Sequence, residues 1–170
     1  MPTLKLGTTT AITESSGTLT YAQPTGILQL EHSSMAGTQS SSSTNFITVT
    51  DGSNPLIVNI TPLFVTSKIL ITVSMYGSFG VPASVTTYSQ LLRDSTLIHN
   101  FGAVVSSTDA GFVTTNNTTY LDAPATTTQV TYTVQTKGDG AGWGINRRQS
   151  SAQNIADSSI TAMEIAVGSL

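Results

Sequence analysis

The chain has 170 residues, of which 30 are threonine and 22 serine, against six Lys/Arg, nine Asp/Glu and no cysteine, for a net charge of −3. That length suits one domain with a real core, and the missing cysteines exclude disulfide staples and thiolate metal sites. The cations Lys5, Lys68, Arg93, Lys137, Arg147 and Arg148 are scattered, so no basic stripe exists for a phosphate backbone and nucleic acid is not an expected partner.

Hydroxyl groups here take the place of charge in keeping the chain wetted. Threonine is β-branched and favours pleated, half-exposed strands, and serine and threonine otherwise populate turns. So little charge is a weak defence against self-association, which makes a building block of an assembly the first expectation. The opening Met1-Pro2-Thr3-Leu4-Lys5 lacks the basic-then-apolar run of a signal peptide, and no stretch approaches the length of a membrane helix. Synthesis in a host cytoplasm without membrane insertion is expected.

Residues 1–25 are poor in large apolar groups and read as an extended N-terminal arm. Leu4/Leu6 and Leu19/Tyr21 alternate as isolated strands do, and Pro24-Thr25-Gly26 is a turn that separates the arm from a domain at 26–170. Alone, such an arm is expected to be mobile, with a neighbouring subunit as the agent that orders it. The same expectation attaches to Ser40–Ser43, otherwise a flexible linker. Strands are then predicted at 27–31, 46–50, 56–60 and 67–76, the last with Ile69, Ile71, Val73 and Met75 on one face. Residues 90–92 and 97–99 read as a hairpin around Arg93–Thr96. Residues 119–122 and 129–135 read as a second pair around Ala123-Pro124-Ala125, and 159–167 as a closing strand with Met163, Ile165 and Val167 on one face. No segment shows a sustained helical period. Many short strands between turns predict an all-β jelly-roll sandwich, with a core of Ile69, Ile71, Val73, Val130, Tyr132, Val134, Met163 and Ile165.

Taken in order, Gly26–Leu30, Thr66–Ser74, Leu92–Thr96, Thr119–Pro124 and Ser158–Ile165 resemble a β-rich domain of bacteriophage tail-fibre and other virion structural proteins, especially of cyanophages. The resemblance spans roughly 26–167. It implies a jelly roll similar in strand order to trimeric heads of the tumour-necrosis-factor and complement type, displayed on the particle surface as a fibre tip, head fibre or capsid decoration. No long repetitive shaft or self-cleaving chaperone segment accompanies it, which favours a small surface component over a long receptor fibre. The implied partners are copies of itself as a homotrimer, the major capsid protein or tail proteins, and a host surface glycan.

Chemical motifs are sparse. Gly138–Gly144 places Trp143 where a dinucleotide fingerprint needs its third glycine, and it lacks the Gly-Lys-Ser/Thr ending of a nucleotide loop. It reads as a hairpin tip or subunit contact. His32 and His99 are the only imidazoles, and no Gly-x-Ser-x-Gly elbow marks a nucleophile. The carboxylates do not follow calcium-loop spacing, and Asp94 and Asp122 sit in turn contexts. On a threefold axis one residue could supply three ligands, but none stands out. No catalytic, metal or cofactor residue is therefore assigned, and no enzyme activity is expected. Tyr76, Phe79, Tyr88 and Trp143, with Phe101 and Phe112, are candidates for an interface or glycan contact, with an interface weighted above sugar. Leu4, Leu6 and Ile12 are the candidate anchors of the arm.

Overall fold

A computed structural model of the chain describes residues 3–6, 9–15, 18–21, 26–81, 86–105, 114–140, 142–147 and 156–166. Phe112, Val167 and the Pro24-Thr25 of the expected turn lie outside them. Among the described residues every regular element is a strand. The first three, β1 (Thr3–Leu6), β2 (Thr9–Ser15) and β3 (Thr18–Tyr21), form an antiparallel sheet in the order β1-β2-β3. The strands of the expected arm thus pair with one another, Leu4 opposite Ile12 and Ile12 opposite Tyr21.

The other eleven strands are β4 (Gly26–Met35), β5 (Gln39–Ser41), β6 (Ile47–Thr48), β7 (Ile57–Ile60), β8 (Lys68–Val81), β9 (Thr86–Arg93), β10 (Thr96–Val105), β11 (Thr114–Asp122), β12 (Val130–Gly138), β13 (Gly142–Ile145) and β14 (Ser158–Ala166). They build two antiparallel sheets. In one, β14 lies between β4 and β8, and β11 pairs with β8 on its other side; β13 pairs with the far end of β8 and with β5. In the other, β12 lies between β9 and the pair β6/β7, and β10 closes the edge. With the short ribbons set aside, the long strands run β4-β14-β8-β11 over β7-β12-β9-β10, the order of a jelly roll.

Period-two alternation explains the sandwich. Along β8, Ile69, Ile71, Val73 and Met75 are fully buried, and along β12 Val130, Tyr132 and Val134 are buried, all facing the space between the sheets. Met35, Val49, Leu56, Val58, Ile60, Leu91, Phe101, Trp143, Ile145, Ile160 and Ala162 complete the core. Two expected core residues are not in it. In β14 the buried parity is Ser158, Ile160, Ala162 and Glu164, and Met163 and Ile165 point outward, half-exposed. Apolar residues occupy both parities of this strand, so periodicity alone does not choose between them.

Three further expectations are corrected. The strands around Ala123–Ala125 are not a hairpin: β11 pairs with β8 in one sheet and β12 with β9, β7 and β6 in the other. The long link between them crosses the sandwich, with Ala125 at φ 53. Gly142–Ile145 is a strand, not a hairpin tip, and its backbone approaches β8 so closely that a Cβ on Gly77 would lie 2.2 Å from the Gly144 carbonyl oxygen. Ser40 and Ser41 are held by β13 of the same chain, opposite Gly144 and Trp143.

Asp122 is not a turn residue but a buried tie between the sheets. Its carboxylate accepts both bonds from Arg93 Nη1, at 3.0 and 2.9 Å, and a third from the Tyr132 hydroxyl at 2.8 Å. Burial, reinforced by that carboxylate, drives the Tyr132 phenol far above its usual pKa, so it stays a donor. Asn146, at φ 58 and fully buried, makes a second tie. Its amide donates to the Met35 and Gly37 carbonyls at 2.6 and 2.9 Å, and it accepts from Ser158 Oγ at 2.6 Å. Asp122→Ala leaves a guanidinium and a buried phenol without their acceptor and is expected to cost about 3 kcal/mol or more, whereas Tyr132→Phe is expected to cost about 1–2 kcal/mol; urea unfolding measures both.

Candidate functional site

The parity that buries Ile160 and Ala162 leaves the opposite face of β4-β14-β8-β11 uncovered, and the registers arrange its side chains in rows. Leu30, Met163, Leu70 and Leu121 are successive cross-strand partners over four strands. Leu30 and Leu121 are each 53% exposed. Beside that row, Ile27 (65% exposed) pairs with Ile165, and Ile165 with Lys68. The loop after β7 adds exposed Leu63 and Val65 near this end of the sandwich.

Toward the other end of the same face the rows become polar. His32, Thr161, Thr72 and Thr119 form one, with His32 Nδ1 2.9 Å from Thr161 Oγ1, and Ser34, Ser159, Ser74 and Asn117 form the next. Between β8 and β11 a shallow depression of about 430 Å³ is lined by Thr72, Ser74, Asn117 and Thr119. The face therefore combines an apolar band with hydroxyl rows, a composition suited to a partner surface that needs some dry contact and abundant hydrogen bonding.

Glu164 fixes the apolar end. It is fully buried and accepts from Gln29 Nε2 at 2.5 Å and from the Leu63 amide at 2.8 Å. Gln29 also donates to the Thr61 carbonyl at 2.7 Å, so the loop carrying Leu63 and Val65 is tied to β4 and β14. Burial alone would raise the Glu164 pKa, but the donors gathered around its carboxylate, Gln29 and the Leu63 amide among them, outweigh it and hold the carboxyl below 4.5. Asp51, in the turn after β6, is lowered to about 2, chiefly by the Asn54 amide and side chain and then by the Ser53 amide.

The sequence candidates fall in different places. Tyr76 is half-buried on this outer face, opposite Thr115, with its amide donating to Ser158 Oγ at 3.2 Å. Trp143 belongs to the core: it is fully buried on β13, its indole nitrogen without a partner among the described residues, and it offers no stacking surface. Tyr88 is on the outer face of the other sheet, 39% exposed. Phe79 lies on β8 opposite Trp143. Leu4, Leu6 and Ile12 lie on β1 and β2; their side chains, like that of Phe79, lie outside the described residues. The row of Leu30, Met163, Leu70 and Leu121 is set by strand pairing at a distance; the sequence offers Met163 only as a core residue and gives no signal for the other three.

His99 is held at a sheet edge, stacked on Tyr120 at 4.8 Å between centroids and with Nε2 3.1 Å from Thr118 Oγ1. Among the described residues no three His, Asp or Glu side chains gather as a metal site would require.

No family model and no curated protein matches the chain. Among solved structures it is similar to a mutant VP2 protein of infectious bursal disease virus in derived T=1 particles, at 10% identity and TM-score 0.45. It is also similar to the structure of the Gt strain of that virus (10%, 0.46) and to a VP2 subviral particle of it (11%, 0.44). The alignments cover 99% of this chain and 41%, 43% and 43% of those chains, so it spans about two-fifths of their length. These are partial likenesses, and the fold described above rests on the chain's own registers.

A carboxyl whose folded pKa is depressed contributes stability that is complete above its unfolded value and is lost as pH falls through the folded one. For Glu164 the loss begins below about pH 4.5; for Asp51 it falls between 3.8 and about 2. Glu164→Gln is expected to lower stability by about 1–3 kcal/mol at neutral pH and to flatten the fall in Tm between pH 6 and pH 3, followed by circular dichroism.

Proposed function

We propose that this chain is a non-enzymatic structural subunit of a virus particle, a homotrimer that decorates or cements the particle surface. The observation that carries the reading is the uncovered β4-β14-β8-β11 face, where Leu30, Met163, Leu70 and Leu121 make an apolar band across four strands. Burying the exposed half of Leu30 and of Leu121 contributes on the order of 1 kcal/mol each, and a cyclic assembly repeats the gain in every protomer. The low charge of the chain and the sequence resemblance to virion domains of bacteriophages point the same way. A short tail or head fibre would use the same block with a different attachment.

The N-terminal sheet is the proposed anchor. Its outer strands, β1 and β3, each have one partner among the described residues, so each offers a free edge for strand addition onto a neighbouring virion protein, such as a major capsid or tail protein. Leu4, Leu6 and Ile12 are the proposed shallow contacts. Avidity over three copies offsets weak single contacts.

Size exclusion with light scattering on the intact chain is expected to give three times 17.7 kDa. Leu70→Glu combined with Met163→Glu places charge in the middle of the band and is expected to weaken association by about 2 kcal/mol or more per protomer, with thermal unfolding little changed because both side chains point away from the core. A monomeric wild-type chain at high concentration, or a trimer indifferent to the double substitution, overturns the reading.

A further inference from the structure

The outer face of the opposite sheet carries a different kind of feature. Near the far ends of β9 and β12, Phe46, Tyr88, Asn100, Gly102 and Lys137 line a cleft of about 310 Å³. The Lys137 ammonium lies 4.8 Å from the centroid of the Phe46 ring and 5.4 Å from that of Tyr88, so the two aromatic faces hold it by cation–π attraction. It has no carboxylate partner among the described residues: Asp139, two residues on, accepts from the Thr86 amide at 3.0 Å. Gly102, at φ 65, borders the cleft, and a Cβ on it would run into the buried Asn116 side chain, so the position needs a glycine.

Asn100 at the edge of the cleft pairs with Gln90, and Gln90 with Gln135, in the next row of the sheet. Gln90 Nε2 donates to Gln135 Oε1 at 2.7 Å, and the Gln135 amino group and the Asn100 side-chain amide have no side-chain partner among the described residues. An exposed tyrosine, unspent amides and a cation without a counter-ion among the described residues are a complementary set. The tyrosine suits the C–H face of a pyranose, the amides suit its hydroxyls, and the ammonium suits a carboxylate.

We infer that the Phe46–Tyr88–Lys137 cleft is a binding site for an acidic sugar, a pyranose bearing a carboxylate, with Tyr88 as stacking platform and Lys137 as the carboxylate's partner. The site does not depend on the trimer reading. It lies on the outer face of the β12–β9–β10 sheet, and an assembly that buries the β4-β14-β8-β11 face leaves it open.

The test applies the full-length chain to an array of hexuronate- and sialate-terminated glycans beside their neutral counterparts, followed by calorimetry on the hits. Saturable binding to one acidic class above its neutral counterpart is expected, and which class binds tells hexuronate from sialate. Tyr88→Ala is expected to weaken binding at least about tenfold, and Lys137→Met to abolish the preference for the acidic sugar while leaving oligomeric state and thermal midpoint unchanged. Absence of binding to every acidic glycan, equal binding of neutral and acidic sugars, or affinity that survives Tyr88→Ala overturns the inference.

Discussion

Everything outside the N-terminal sheet turns on the parity of β14. This strand is threaded between β4 and β8, and a strand has only two faces, so placing Ile160 and Ala162 against the core sends Met163 and Ile165 to the surface. What secures that choice is a carboxylate. Glu164 lies on the inward parity, which would be ruinous without partners, but the Leu63 amide, Gln29 and the loop before β8 supply them. The alternative register would bury Met163 and Ile165 and strand those donors. One satisfied acid therefore decides which half of the strand's apolar residues becomes core and which becomes interaction surface.

The interior shows how a chain with so few ionic groups still specifies one packing. Polar ties join elements far apart in sequence: Arg93–Asp122–Tyr132 between the sheets, Asn116–Ser89–Thr136 at 2.9 and 3.2 Å, and Asn146 among β4, β8 and β14. Each would be costly half-made and is cheap when complete. Together they select the sheet pairing from among the alternatives that an abundance of threonine-rich strands leaves open.

Much of this was legible in the sequence. The all-β class, the β9–β10 hairpin at Asp94-Ser95 and the buried faces of β8 and β12 follow from alternation and turn chemistry, which are local. What was not legible is pairing at a distance. Ala123–Ala125 has the composition of a turn, and only the partners of β11 and β12 show that it crosses from one sheet to the other. Ser40–Ser41 reads as a linker until Trp143 and Gly144 are set opposite it. Trp143 in a glycine-rich stretch looks like an exposed aromatic because the glycines suggest a loop, whereas here they permit close approach of β13 to β8. Of the surface candidates, Tyr88 and Tyr76 are on outer faces, but the neighbours that give each a role lie on other strands.

The pairing of β4 with β14 also gives the block a polarity. Gly26 and Ala166 are cross-strand partners, so the chain enters and leaves the sandwich at the same pole, the one that also holds Lys68 and Asp122. Arg93 and Tyr132 reach Asp122 there, and Lys137 lies five residues farther along β12, roughly 17 Å toward the opposite pole. The ends of β4 and β14 and the aromatic cradle around Lys137 therefore lie toward opposite poles of the sandwich, so a tether at one pole leaves the other clear.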